Sequence, residues 1–305
     1  MKRRNFLKTA GLLSGAALVK PGFYGNLFAR NSYSTQNYDL VAIKGGEPDT
    51  MFDEAIKQFG GMKSFVKKNQ KVVVKPNIGW DVIPELGANT NPKLVGRVVQ
   101  HCFDAGAKEV YVFDHTCDDW RRCYANSGIE RAVKEAKGTM VPGNSESFYK
   151  EVEVKKGKKL TKAKVHELIL DCDVFINVPI LKHHSSTRLT INMKNLMGIV
   201  WDRGYWHRNN LHQCIADFAT YDRKPDLNIV DAYYVMMRNG PRGVSKADVS
   251  TMKSQIISTD MVAADAAAAK LFGAEPDTIP YIKYAAEMSV GRIDLNSLQI
   301  KRIIL

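Results

Sequence analysis

The sequence predicts an α/β protein: a mainly parallel sheet with helices on both faces, Rossmann-like in outline. Three observations carry this. Short β-branched runs, of which Lys71-Val72-Val73-Val74 is the plainest, are continuous rather than alternating, as strands covered on both faces are. They alternate with stretches of helical apolar spacing. Several end in polar side chains: Lys75 and Asn77, Asp114 and His115, Lys182 and His183, Asp231. Parallel strands carry such ends to one edge of the sheet, where open α/β sheets bind ligands.

Taken in order, residues 1–30 form an export signal and the start of a linker, and residues 38–305 a single α/β domain. The opening MKRRNFLKTAGLLSGAALV places a twin arginine ahead of Phe6-Leu7-Lys8 and a short apolar run. It resembles a twin-arginine export signal. That implies the export machinery as a partner and a periplasmic or otherwise exported location. An uncleaved anchor is the alternative. No other segment is apolar enough over a sufficient length to cross a membrane. Leu40–Ile43 reads as a first strand, and residues 51–68 carry helical spacing broken at Gly60-Gly61. After the Lys71–Val74 strand, Asn91 caps a helix that begins at Pro92. Val110–Phe113 is a third strand, and helical pieces span 118–137. A Lys-rich excursion over 152–165, turning at Lys156-Gly157, reads as a β-hairpin inserted in the fold. Val174–Val178, Leu227–Val230 and Ser254–Ser258 are further strands. Asp260 caps a helix over 262–272, and Leu298–Leu305 closes the chain as a strand.

The chain holds 44 Lys plus Arg against 32 Asp plus Glu, or +12. Residues 1–30 carry six of those cations and no acid, so the remainder stands at +6. That is mild, and no basic run is interleaved with aromatics, so nucleic acid is not the expected partner. The five cysteines, Cys102, Cys117, Cys123, Cys172 and Cys214, form no Cys-x-x-Cys pair and no ferredoxin-type cluster. With 45% hydrophobic residues among 305, the chain can bury a sizeable core.

The densest chemistry lies between Asp171 and Gly198. A buried strand stops at Pro179 and spills into Lys182-His183-His184, with Asn192, Lys194 and Asn195 close behind. His183 is the leading acid–base candidate, since imidazole titrates near neutrality. The other reading is a metal ligand with His184, His207 or His212. Adjacent histidines point apart, so His183 and His184 do not share one ion. Lys75, Lys182 and Lys194 without acidic partners would repel one another, so a small anion is their natural ligand. Asn77 and Asn195 orient it. Asp114 either holds His115 in one tautomer or binds a metal. His101 and His166 read as structural. No P-loop, Gly-x-Gly-x-x-Gly or serine elbow is present.

From Val74-Lys75-Pro76-Asn77 through Asn89-Thr90-Asn91-Pro92, Ile176-Asn177-Val178-Pro179, Lys182-His183, Lys194-Asn195 and Gly198 to Asp260 and Asp265, the chain resembles the family catalogued as domain of unknown function 362. The resemblance implies an α/β fold and a site, without a reaction. Many members carry ferredoxin-type cysteines, which this chain lacks. Asp114-His115-Thr116 is also similar to the Asp-His-Thr-Arg stretch of nickel-dependent lactate racemase-like proteins, with Cys117 in place of the arginine. Two classes of function follow. One is an exported enzyme acting on a small anionic substrate in a Lys/His-lined cleft, with a metal or organic cofactor left open. The other is a non-catalytic anion- or cofactor-binding accessory protein for a redox partner.

Overall fold

Residues 38–305 are described here, from a computed structural model. The twin-arginine segment and the linker lie outside them. In chain order come β1 (Leu40–Lys44), α1 (Pro48–Lys57), β2 (Lys71–Pro76), α2 (Pro92–Ala105), β3 (Glu109–Val112), α3 (Trp120–Asn126), α4 (Ile129–Glu135) and β4 (Thr139–Met140). Then follow β5 (Tyr149–Glu153), β6 (Lys162–His166), α5 (Glu167–Asp171), β7 (Val174–Val178), β8 (Lys182–His184), β9 (Arg188–Thr190), α6 (Asn192–Asn195), α7 (Arg203–Arg208) and α8 (Leu211–Phe218). The chain ends with β10 (Leu227–Met236), β11 (Val249–Ser258), α9 (Met261–Phe272), α10 (Pro280–Glu287) and β12 (Ile300–Ile304).

Eight strands form one sheet in the order β12-β1-β11-β10-β7-β2-β3-β4. All run parallel except β11, which is antiparallel to both of its neighbours. Successive residues of the central strands feed opposite cores. Val72 and Val74 join Val174 and Ile176 under α1, α2 and α4. Val73 and Phe175 face the other way, toward the α8, α9 and α10 side. Burial on both faces is why these runs are continuously apolar. Caps fall where the sequence places them. The Asn91 side chain accepts from Lys93 N–H at the start of α2, and Asp260 accepts from Val262 and Ala263 at α9. Among the described residues, no helix is long and apolar enough to cross a membrane.

Chain order against sheet order locates the site. From β2 the chain steps outward to β3 and β4, then returns to the other side of β2 as β7. The carboxyl ends of β2 and β7 therefore flank a topological switch point, where a crevice opens. In register, Lys75 lies beside Asn177 and Pro76 beside Val178. β5 and β6 pair antiparallel as a two-stranded ribbon outside the main sheet.

Two strand expectations need correcting. The strand at Ser254–Ser258 starts at Val249 and is antiparallel. The strand at Leu227 does not end at Asp231 but runs on to Met236. A carboxylate is tolerated in mid-strand because its oxygens are occupied: Asn91 N–H donates to it at 2.7 Å and Tyr233 N–H at 3.0 Å. Its backbone also pairs with Pro179 and Leu181. Asp231 thus ties the start of α2 to the segment that delivers Lys182. Asp231→Asn replaces one accepting oxygen by an amide that faces an N–H donor. It is expected to lower stability by about 1–3 kcal/mol, read as a lower urea midpoint; an unchanged midpoint would remove Asp231 from this role.

Candidate functional site

Four chain segments meet at the switch point. β2 brings Lys75 and Asn77, and the residues after β3 bring Asp114, His115 and Cys117. β8 brings Lys182 and His184, and residues 190–198 add Thr190, Lys194, Asn195 and Gly198. Together with Arg203 they enclose a cavity of about 70 Å³. Among the wider hollows, one of about 400 Å³ around Trp201 and Tyr205 is lined by buried apolar and exposed charged side chains, and one of about 390 Å³ by largely aliphatic residues beside β12. Neither gathers buried ionisable groups. The small cavity does.

Lys75 Nζ is fully buried. It lies 3.0 Å from Asp114 Oδ1 and donates to Asn195 Oδ1 at 2.8 Å. Burial pushes its ammonium down, and Asp114 opposes the shift. Asp114 Oδ2 accepts from Ile78 N–H at 2.6 Å. Asp114 therefore does not serve the His115 ring, contrary to the tautomer-holding role expected from sequence. Asn195 is held in turn. It accepts from Asn77 Nδ2 at 3.0 Å and donates to Asn177 Oδ1 at 2.8 Å. This buried amide chain fixes which atom of Asn195 meets Lys75. Gly198 packs over the pair: a Cβ there would overlap both Asp114 Oδ1 and Lys75 Nζ.

The other two lysines have no carboxylate. Lys182 Nζ donates to Ala88 C=O and Asn77 Oδ1. Burial pushes it down to about 7, with Lys194 and Lys75 adding to the shift. Lys194 Nζ has Met197 Sδ at 3.2 Å as its hydrogen-bond contact, and burial lowers it to about 8. Thr190 Oγ1 is buried on the cavity wall without a hydrogen-bond partner.

The histidines take opposite polarities. His115 Nδ1 lies 3.0 Å from Val200 C=O, an acceptor, so the ring nitrogen there carries the proton and Nε2 keeps its lone pair. The ring stacks on Trp201 with centroids 4.8 Å apart and planes 3° off parallel. Burial, then Arg203, holds it below the usual histidine range, hence neutral. His184 Nδ1 accepts from Ser186 N–H at 3.1 Å, so its Nε2 carries the proton. Burial and the neighbouring lysines push it to about 2.

His183 is the residue the structure leaves out. In β8, side chains alternate, so Lys182 and His184 face the cavity while His183 faces away and accepts from Gly240 N–H at 3.1 Å. Its place is taken by His184. The strand period of two holds the signal that separates them, but a three-residue strand is hard to see in sequence. The structure does bring together Lys75, Asn77, Asp114, His115, Lys182, Lys194 and Asn195. The sequence marks Cys117 and Gly198 only as motif positions and gives no sign of Thr190 or of Arg203, which donates to the carbonyls of His115 and Thr116 at 2.8 Å each. His212 stacks on Tyr281. Among the described residues, no three His, Cys, Asp or Glu side chains group as metal ligands.

Fold and cavity define a class: a mainly parallel α/β protein with a cationic, donor-rich cavity at its topological switch point. The chain belongs to the family described as Domain of unknown function (DUF362), whose profile matches residues 72–270. It is similar to a thylakoid-associated protein of Synechocystis sp., with 26% identity over 251 residues, covering 77% of this chain and 73% of that one. Two solved structures align with it. One is a Thermotoga maritima protein, at 12% identity and TM-score 0.46. The other is the lactate racemase apoprotein of Thermoanaerobacterium thermosaccharolyticum, at 10% and 0.44. They cover 80% and 82% of this chain, which spans 60% and 57% of theirs.

Titration exposes the cost of burying Lys182. In the unfolded chain its ordinary value is 10.5, against about 7 when folded. Between those values the unfolded state binds the extra proton, so folded stability rises with pH there. Relative to Lys182→Met, the wild type should gain stability as pH rises from about 7 toward 10.5. Urea unfolding of both proteins across that range checks this; parallel profiles would show that Lys182 keeps its charge when buried.

Proposed function

We propose that the protein is an exported enzyme acting on a small anionic substrate in the cavity of Lys75, Lys182 and Lys194. One observation carries this reading: three buried lysines share a small space with a single carboxylate, Asp114, which Lys75 already occupies. An anion bound between Lys182 and Lys194 restores their charge and offsets the burial penalty. His184 Nε2–H and Thr190 Oγ1–H supply further donors to it. His115 Nε2 is the general base, a neutral imidazole held by Val200 C=O and Trp201. Cations and donors suit a carboxylate, a phosphate or an organic cofactor bearing either, and no step is assigned to a metal.

Calorimetry with inorganic phosphate and small carboxylates tests the pocket. Binding is expected with proton uptake near neutral pH, and Lys194→Ala should weaken it about tenfold or more, in line with about 1.5–3 kcal/mol for a charge-assisted contact. No heat from any anion would sink the reading. Where turnover is found, His115→Ala separates enzyme from accessory protein. An enzyme loses rate at nearly constant affinity, whereas a non-catalytic binder changes affinity or nothing.

Export rests on Arg3-Arg4 ahead of Phe6-Leu7-Lys8. Changing both arginines to lysine should hold the protein in the cytoplasm. Export of that variant at the wild-type level would refute the twin-arginine assignment.

A further inference from the structure

We propose that Cys117 is the nucleophile of this cavity, attacking an electrophilic carbon of a small carboxylate-bearing substrate. The inference rests on the anion-pocket reading and adds the bond-forming atom to it. Among the described cysteines, Cys102, Cys123, Cys172 and Cys214 are buried, and Cys117 is exposed. It lines the lysine cavity. Its N–H donates to Gly79 C=O at 2.8 Å, which fixes the backbone at the rim. Arg203, held by the carbonyls of His115 and Thr116, places Nη1 3.7 Å from the sulfur.

The cavity itself points to a ligand independently of the thiol. Thr190, 3% exposed, lines the same cavity, and its Oγ1 has no hydrogen-bond partner. Lys194 is 9% exposed and has a thioether for its hydrogen-bond contact. A carboxylate satisfies these donors and brings the adjacent carbon to the sulfur. With a carbonyl carbon, the S–C bond forms as the C=O π bond breaks. The electron pair moves to oxygen, which takes the thiol's proton, so the adduct is a thiohemiacetal and no oxidant or reductant enters. Cationic donors around that oxygen stabilise the charge that develops on it.

Iodoacetate and iodoacetamide share one carbon and one leaving group and differ in charge. Each forms the S–C bond with loss of iodide. On the full chain, iodoacetate is expected to label Cys117 about tenfold or more faster than iodoacetamide, the scale of electrostatic steering into a charged cleft. Inorganic phosphate should slow iodoacetate on the wild type, a measurement that needs no variant. Lys194→Ala should remove the preference, and Cys117→Ser should take no label, as read by peptide mass spectrometry. If iodoacetate labels Cys117 no faster than iodoacetamide, or neither labels it, the proposal falls. Should calorimetry still show anion binding, the pocket reading stands without the nucleophile. Should calorimetry also be silent, both fall.

Discussion

The buried ion pair between Lys75 and Asp114 is the constraint on which the site depends. It joins the residues that end β2 and follow β3, two strands whose register is set by continuous pairing from Lys71 to Val74. Taking two charges out of water costs several kcal/mol per ion, and such a pair survives only when its remaining valences are filled. Here Asp114 Oδ2 takes Ile78 N–H and Lys75 donates to Asn195, while Asp114 Oδ1 has the Lys75 charge contact alone. The backbone above must be glycine, because a side chain at Gly198 would occupy the space of the pair itself. The pair also settles the charge balance. Asp114 is spent on Lys75, so Lys182 and Lys194 enter the cavity with nothing anionic to meet them.

Deep burial of Lys182 is sustained by backbone and amide acceptors that follow β2, in the segment leading to α2. Ala88 C=O takes Lys182. Asn89 braces the 80–82 turn through Trp80. Thr90 accepts from Asn77 N–H and donates to Val178 C=O, stitching β2 to β7. Asn91 then caps α2 while its own N–H reaches Asp231. Four consecutive residues thus each hold a different wall of the crevice. A loop with this many obligations behaves as part of the scaffold rather than as a mobile cover.

The fold was legible because both-faced burial leaves an unmistakable mark. Val72–Val74 is apolar on both sides, and Val174–Val178 is apolar but for Asn177 at its site end, the mark of central parallel strands buried on both faces. The convergence of Lys75, Asp114 and Lys182 was legible too, since strand-end position sends them to one edge; Lys194, in α6, was read only from its closeness in sequence to Lys182. Side-chain direction was not. Whether His183 or His184 faces inward depends on the phase of a three-residue strand, which no flanking pattern fixes. Asp231 misled because a mid-strand carboxylate is ordinarily a stop. Its two backbone donors, Asn91 and Tyr233, become visible only once the strand is paired. Thr190 and Arg203 carry no sequence signal of this kind: one is an ordinary strand residue, the other a single arginine in a basic chain.

The two cavity histidines gain their character from backbone groups rather than from carboxylates. A carbonyl at Val200 fixes the proton of His115 on Nδ1, so Nε2 accepts. An N–H at Ser186 takes the lone pair of His184 Nδ1, so Nε2 donates. Neither tautomer can invert without breaking its backbone hydrogen bond. In both, burial and nearby cations work against protonation, so each ring stays neutral where a solvated one would titrate. One ring thus offers the cavity a neutral acceptor and the other a neutral hydrogen-bond donor. That polarity is set by the two backbone hydrogen bonds at Val200 and Ser186.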